Sequence, residues 1–102
     1  MLALLLTFSA FAGDPAAGQA AYVAKCQACH GHHGEGDGPA AAALPKQPPN
    51  FTHAEFWHGM TDDHLKAAIT QGKPSGVMRP FPMDDQQVDD LVTFLRTFEP
   101  AH

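Results

Sequence analysis

Basic side chains are scarce in this sequence: 6 Lys+Arg stand against 11 Asp+Glu in 102 residues, a formal charge of −5 with histidine neutral. A chain of that sign does not neutralise phosphates, so nucleic-acid binding is excluded on charge. No run approaches the ~20 consecutive apolar residues of a membrane-spanning helix, which excludes a multi-pass protein. Strand-like alternation of apolar and polar residues is missing throughout, and so is any internal repeat. Hydrophobic residues nevertheless make up 44% of the chain, enough to exclude outright disorder. Gly and Pro, nine of each, exceed their ordinary share. Short helices joined by long ordered loops are the expected result.

The first twelve residues, MLALLLTFSAFA, carry no charge and end in Ala10-Phe11-Ala12, the small-x-small pattern that signal peptidase cuts after. They read as a signal peptide, with a plain apolar tail as the alternative. Residues 13–102 then form a single domain of about 90 residues. At that size apolar burial barely exceeds the entropy cost of ordering the chain, so something besides side chains is expected to fill the core.

Punctuation and periodicity predict three main helices. Asp14 as N-cap and Pro15 at the first helical position open an Ala-rich helix that runs to Lys25. Gly18 inside it is either a tolerated weak spot or the place where another helix backbone crosses closely. A second helix starts at Thr61, has Asp62 and Asp63 at its positive end, and stops at Gly72. Asp84 starts a third, with Gln87 at the capping-box position and Val88, Leu91, Val92, Leu95 and Phe98 on one stripe. Its opposite face, with Asp85, Gln86, Asp89, Asp90 and Arg96, reads as solvated surface. Two loops remain, Gly31 to Gly59 and Gly72 to Pro82. A loop of nearly thirty residues calls for a ligand to wrap or a function to serve.

The first helix leads directly into Cys26-Gln-Ala-Cys29-His30. Residues at i, i+3 and i+4 share a helix face, so two thiols can bond to the vinyl groups of a haem while the imidazole reaches its iron. In an exported chain this pentapeptide is the attachment pattern of c-type haem. A thioredoxin-like redox pair would need a βαβ setting. A zinc site drawing on His32 or His33 lacks a second ligand pair at finger spacing, so no zinc is expected. A Cys26–Cys29 disulfide would close too short a loop to stabilise much.

A haem iron takes a sixth ligand, and Met60, Met78, Met83 and the other histidines are the candidates. Met60 precedes the N-cap Thr61 with Leu65 at the fourth helical position, and Met83 precedes Asp84 with Val88 likewise placed, so both serve as hydrophobic staples. Met78 has no such duty and lies in a loop stiffened by Pro74, Pro80 and Pro82. It is the expected axial ligand, with Met83, Met60 or a histidine as alternatives. His32, His33, His53, His58 and His64 are expected at the surface. Trp57 suits either a propionate hydrogen bond or a packing role.

From Asp14 to Phe98 the sequence resembles the class I c-type cytochromes. The resemblance is carried by Gly18 and Tyr22, Cys26-Gln-Ala-Cys29-His30-Gly31, Gly36-Asp37-Gly38-Pro39, Pro49-Asn50-Phe51-Thr52, Gly76-Val-Met78-Arg-Pro-Phe81 and Leu91-Val-Thr-Phe-Leu95. It implies an all-α, small cytochrome c-like fold with three main helices and long loops around one covalently bound haem c. First and last helices would cross near Gly18, Cys26 and Cys29 would form the thioethers, and His30 and Met78 would be the axial ligands of the iron. The Pro39 carbonyl would accept a hydrogen bond from the other nitrogen of His30. Two filled axial positions imply a periplasmic electron carrier, not an enzyme, that exchanges electrons with redox proteins such as a membrane respiratory complex, an oxidase or a reductase. The alternative is a haem-based sensor or peroxidatic protein with a labile sixth ligand. Lys25, Lys73 and Arg79 near the expected haem edge, set against four acids between Asp84 and Asp90, fit either a dipole that presents this edge to an acidic partner or an ordinary solvated surface.

Overall fold

Three capped helices carry the architecture of the computed structural model, which describes residues 13–73 and 77–101. The expected leader, residues 1–12, and Pro74 lie outside them. Helix α1, Pro15–Lys25, opens on Asp14, whose side chain accepts from the Ala16 N–H. Short α2, Gln27–His30, follows after a break at Cys26. Short α3, Ala54–Trp57, and a 3-10 turn at Ala41–Ala43 interrupt the long loop. Helix α4, Asp62–Gln71, opens on Thr61, whose hydroxyl accepts from the His64 N–H. Helix α5, Asp85–Leu95, has the complete capping box of Asp84 and Gln87, and tightens into a 3-10 turn over Arg96–Phe98. Apart from one isolated antiparallel bridge between Lys73 and Met78, no β-structure occurs among the described residues.

The three main helices start where their capping residues predict, because a cap is satisfied within its own first turn. The additional turns have no comparable local signal. Phe51 shortly before α3 and Trp57 at its last position are buried, so tertiary burial, not propensity, holds that turn in place.

Helices α1 and α5 form the most extensive contact between elements, with α4 against α5 next. The α1–α5 crossing is at Gly18. A Cβ there would lie 2.7 Å from the Asp90 carbonyl carbon and 2.8 Å from the Phe94 Cβ, with the Asp90 oxygen closer still. Only a residue without a side chain lets the backbones approach this far. The core beside the crossing contains Tyr22, Cys26, Phe51, Trp57, Leu65, Ile69, Val88, Leu91, Val92 and Leu95.

The polar face of α5 differs from the solvated surface expected of it. Asp90 Oδ1 accepts from the Asp14 N–H at 2.8 Å and from Gln86 at 2.7 Å, while Asp89 pairs with Lys66 at 2.7 Å. Arg96 donates to Asp62 at 2.8 Å, to Glu99 at 3.1 Å and to the Met60 carbonyl at 3.3 Å, and its guanidinium lies 5.1 Å from the Trp57 ring centroid. Apart from Gln86, these partners sit at the start of α1, on α3 and α4 and in the segments between and after the helices, and periodicity along one helix does not report them. Asp85 and Gln86 are exposed, as expected.

Candidate functional site

Cys26 ends α1 and caps α2, and its carbonyl accepts from the N–H groups of Cys29 at 3.3 Å and His30 at 2.9 Å. One helical turn therefore holds the two cysteines and the histidine, as their spacing requires. Both thiols are free; Cys26 is buried and Cys29 half-buried. Burial pushes the Cys26 thiol up to about 11, despite the opposing charge of Lys25. The same cause holds the His30 imidazole below its ordinary value, favouring the neutral form that ligates metals.

The next segment wraps the back of this turn. The N–H groups of Gly36, Gly38 and Ala40 donate to the carbonyls of His30 at 2.8 Å, Cys29 at 3.1 Å and Ala28 at 2.8 Å. At Gly31, φ is +89°, and an added Cβ would strike the Asp37 carboxylate. The Tyr22 hydroxyl, delivered from the buried face of α1, donates to the Gly31 carbonyl at 2.5 Å. Desolvation raises the Tyr22 phenol far above its usual range.

The acceptor expected for His30 is not where the resemblance put it. Nδ1 of His30 is buried and has no hydrogen-bond partner, the Pro39 carbonyl included. The bonds from Gly38 and Ala40 lay the wrapping segment along the α2 carbonyls, and Pro39 between them is exposed. What the imidazole does meet is Phe51, stacked on it at 4.8 Å between centroids with 19° between planes. The position of Phe51 in the Pro49-Asn50-Phe51-Thr52 motif was visible in the sequence, its contact with His30 was not. An aromatic amid polar and Pro residues was the one available signal.

Trp57 packs and does not reach outward: it is buried, and its indole N–H donates to the Phe51 carbonyl at 2.7 Å. Met60 and Met83 are partly buried against the core that contains Leu65 and Val88, in keeping with the staple reading. Met78 is half-buried outside that core, and two main-chain bonds with Lys73, at 2.8 and 3.1 Å, pin its backbone. Its neighbour Val77 is exposed, with φ at +65°, an unusual conformation for a β-branched residue. His32, His33, His53, His58 and His64 are all exposed.

This donor set fits a haem. Two free thiols and a half-buried imidazole, whose surroundings favour its neutral form, share one turn. Among the described residues, no three His, Cys, Asp or Glu side chains converge as a metal cluster of their own, and no helix is long and apolar enough to cross a membrane.

Comparison with known proteins agrees. The family model described as Cytochrome c matches residues 15–99. Cytochrome c-554(547) of Halothiobacillus neapolitanus is 34% identical over 92 residues, covering 86% of this chain and 100% of that protein. The solved structure of the KustC0563 c-type cytochrome superposes with a TM-score of 0.69 at 26% identity, over 81% of this chain and 98% of its own. A chain of the Kuenenia stuttgartiensis reducing HAO-like protein complex Kustc0457/Kustc0458 superposes equally well, at 0.69 and 27% identity, over 80% of this chain but 41% of its own length. A helical fold closed at Gly18, a Cys-x-x-Cys-His turn with free thiols and these matches lead to one conclusion: the chain belongs to the cytochrome c family, electron-transfer proteins that carry covalently bound haem c and its iron.

Proposed function

We propose that the protein is an exported one-electron carrier with His30 and Met78 as the axial ligands of its haem iron. Bound haem supplies a metal centre that gains and loses one electron without a change of substrate bonding. The thiols of Cys26 and Cys29 would hold the haem by adding across its two vinyl groups, and the neutral imidazole of His30 would ligate its iron. The observation that carries the assignment of Met78 is the placement of the three described methionines: Met60 and Met83 pack against the core, and Met78 does not. A thioether is a soft donor that favours ferrous iron, and its main-chain bridge to Lys73 limits its excursions. Held by both His30 and Met78, the iron would exchange electrons and would offer no open position to a substrate.

Export follows from the leader reading, with Gly13 opening the mature chain and the periplasm as destination. Exposed Lys25, Lys73 and Arg79 favour a redox partner with an acidic contact face. A respiratory oxidase or reductase fits, whether the chain diffuses to it or is held in a complex, as its likeness to a chain of the HAO-like assembly would allow.

Substitution of the methionines one at a time tests the ligation. Met78→Ala should abolish the red-region sulfur-to-iron charge-transfer band of the oxidised protein, lower the reduction potential and admit carbon monoxide to the reduced iron. Met60→Ala and Met83→Ala should retain the band and lose stability only. A band that survives in Met78→Ala but vanishes in Met83→Ala moves the ligand, and rapid binding of carbon monoxide by the wild type replaces the carrier with a sensor or peroxidatic site.

A further inference from the structure

At Gly13 the chain already lies on α5. The approach to the main chain of Asp89 and Asp90 is so close that a Cβ on Gly13 would stand 2.5 Å from the Asp89 carbonyl carbon and 2.6 Å from the Asp90 Cα. No side chain fits there. The next N–H, that of Asp14, donates to Asp90 Oδ1 at 2.8 Å. Gly13 and Asp90 are both half-buried, so water screens a charge at this contact only in part.

We propose that removal of the leader after Ala12 leaves on Gly13 an α-ammonium that the Asp90 carboxylate holds as its ion partner, so that processing itself adds a charge contact between α5 and the start of α1. The inference rests on the leader reading. Hydrolysis of the Ala12–Gly13 peptide bond consumes one water and leaves a carboxylate on the leader and an ammonium on the mature chain. Before cleavage the same nitrogen is a neutral amide.

That nitrogen is one residue step, ~3.8 Å, from the N–H that Asp90 already holds. Both donors to Asp90, the Asp14 N–H and the Gln86 amide at 2.7 Å, are neutral, and among the described residues no cation pairs with it. The other charged groups around the contact are engaged or distant. Asp89 pairs with Lys66 of α4 at 2.7 Å, the Asp14 carboxylate accepts from the Ala16 N–H, and Lys25, which lines the same cleft as Asp90, sits at the opposite end of α1. The positive end of the α1 dipole, equivalent to about half a charge, opposes an ammonium here, and the full charges of Asp14 and Asp90 exceed it. A partner of opposite sign raises an α-ammonium above its ordinary ~7.7–8.0. The contact therefore stabilises fully below that range and is lost as pH rises through the raised value.

Holoprotein recovered from the periplasm, its first residue read by intact mass, tests this. With isotope-labelled glycine, NMR should show the Gly13 ammonium titrating about half a pH unit above its ordinary value, and Asp90→Asn, which keeps an acceptor for the Asp14 N–H, should remove that elevation. The same coupling should appear in stability. Below neutral pH, transamination of Gly13 to a neutral oxoacyl end should lower the folding equilibrium constant of the wild type about threefold and leave that of Asp90→Asn unchanged. Glu55→Gln, which removes an exposed carboxylate on α3, should behave as the wild type in both measurements. A Gly13 start with an ordinary titration, or an equal threefold loss in Asp90→Asn, overturns the proposal alone. If Asp90→Asn does not accumulate, the wild-type titration decides, and an unraised value overturns it. A mass that shows another first residue removes the leader reading and the proposal with it.

Discussion

Replacing Gly18 with Ala should weaken the protein although it improves the helix. In an exposed helical position this exchange stabilises by ~1 kcal/mol. Here the new methyl group would stand 2.7 Å from the Asp90 carbonyl carbon and 2.8 Å from the Phe94 Cβ. Favourable carbon contacts begin at ~3.5 Å, so α1 and α5 would have to part by roughly 1 Å. The nearest atoms are backbone, which cannot rotate away. Separation loosens Tyr22 against Phe94, now 5.3 Å between ring centroids, and the Asp14 N–H bond to Asp90. Overpacking of this kind costs ~1–3 kcal/mol or more. Because unyielding backbone puts the cost at the upper end of that range, about 3 kcal/mol, deducting the propensity gain leaves a net loss of about 2 kcal/mol. For a domain of this size that lowers Tm by roughly 8–16 °C. Thermal unfolding of the holoprotein, followed by far-UV circular dichroism, measures it. Ala24→Gly on the exposed side of α1 calibrates the propensity term alone, at ~1 kcal/mol. A Gly18→Ala protein as stable as the wild type, or more so, would refute the close-crossing argument.

Two further outcomes follow from named contacts. Tyr22 is held neutral by burial in the folded chain, while the unfolded chain releases its proton near its ordinary value of 10.0. Stability should therefore be unaffected by this group below that pH and fall as pH rises through it, by ~1.4 kcal/mol per unit. Denaturant titrations should show Tyr22→Phe losing ~1 kcal/mol at neutral pH with the Gly31 bond, yet declining less steeply above pH 10; equal alkaline slopes would contradict the buried phenol. Arg96→Ala should cost ~1–2 kcal/mol, part from the pairs with Asp62 and Glu99 and part from the cover it gives Trp57. Urea midpoints at low and high salt separate the two, and a loss that high salt abolishes completely would remove the packing contribution.

Legibility tracked the distance over which each feature is determined. Asp14, Thr61 and Asp84 were readable as caps because each closes a bond within three residues. The Cys26, Cys29 and His30 turn was readable for the same reason. Gly18 needed one further step, since a glycine in a good helix has a cost that a crossing explains. By contrast, α3 exists because Phe51 and Trp57 are buried, and the ties of Asp89, Asp90 and Arg96 join segments far apart in sequence. Pro39 is instructive: its motif is present, yet the bonds of Gly38 and Ala40 on either side decide where the carbonyl goes. Conformation in that loop is set by main-chain partners on another element, which residue identity does not encode.

The meeting of α1 with α5 also imposes an order of events. Asp14 and Asp90 are 76 positions apart, so the contact that seals the molecule cannot form until nearly the whole chain has been delivered. Until then Cys26 is free of the burial that raises its thiol in the finished fold, and its thiolate is more populated and more reactive. Late closure gives the nascent chain an interval in which its cysteines are accessible, and the last helix to arrive ends that interval.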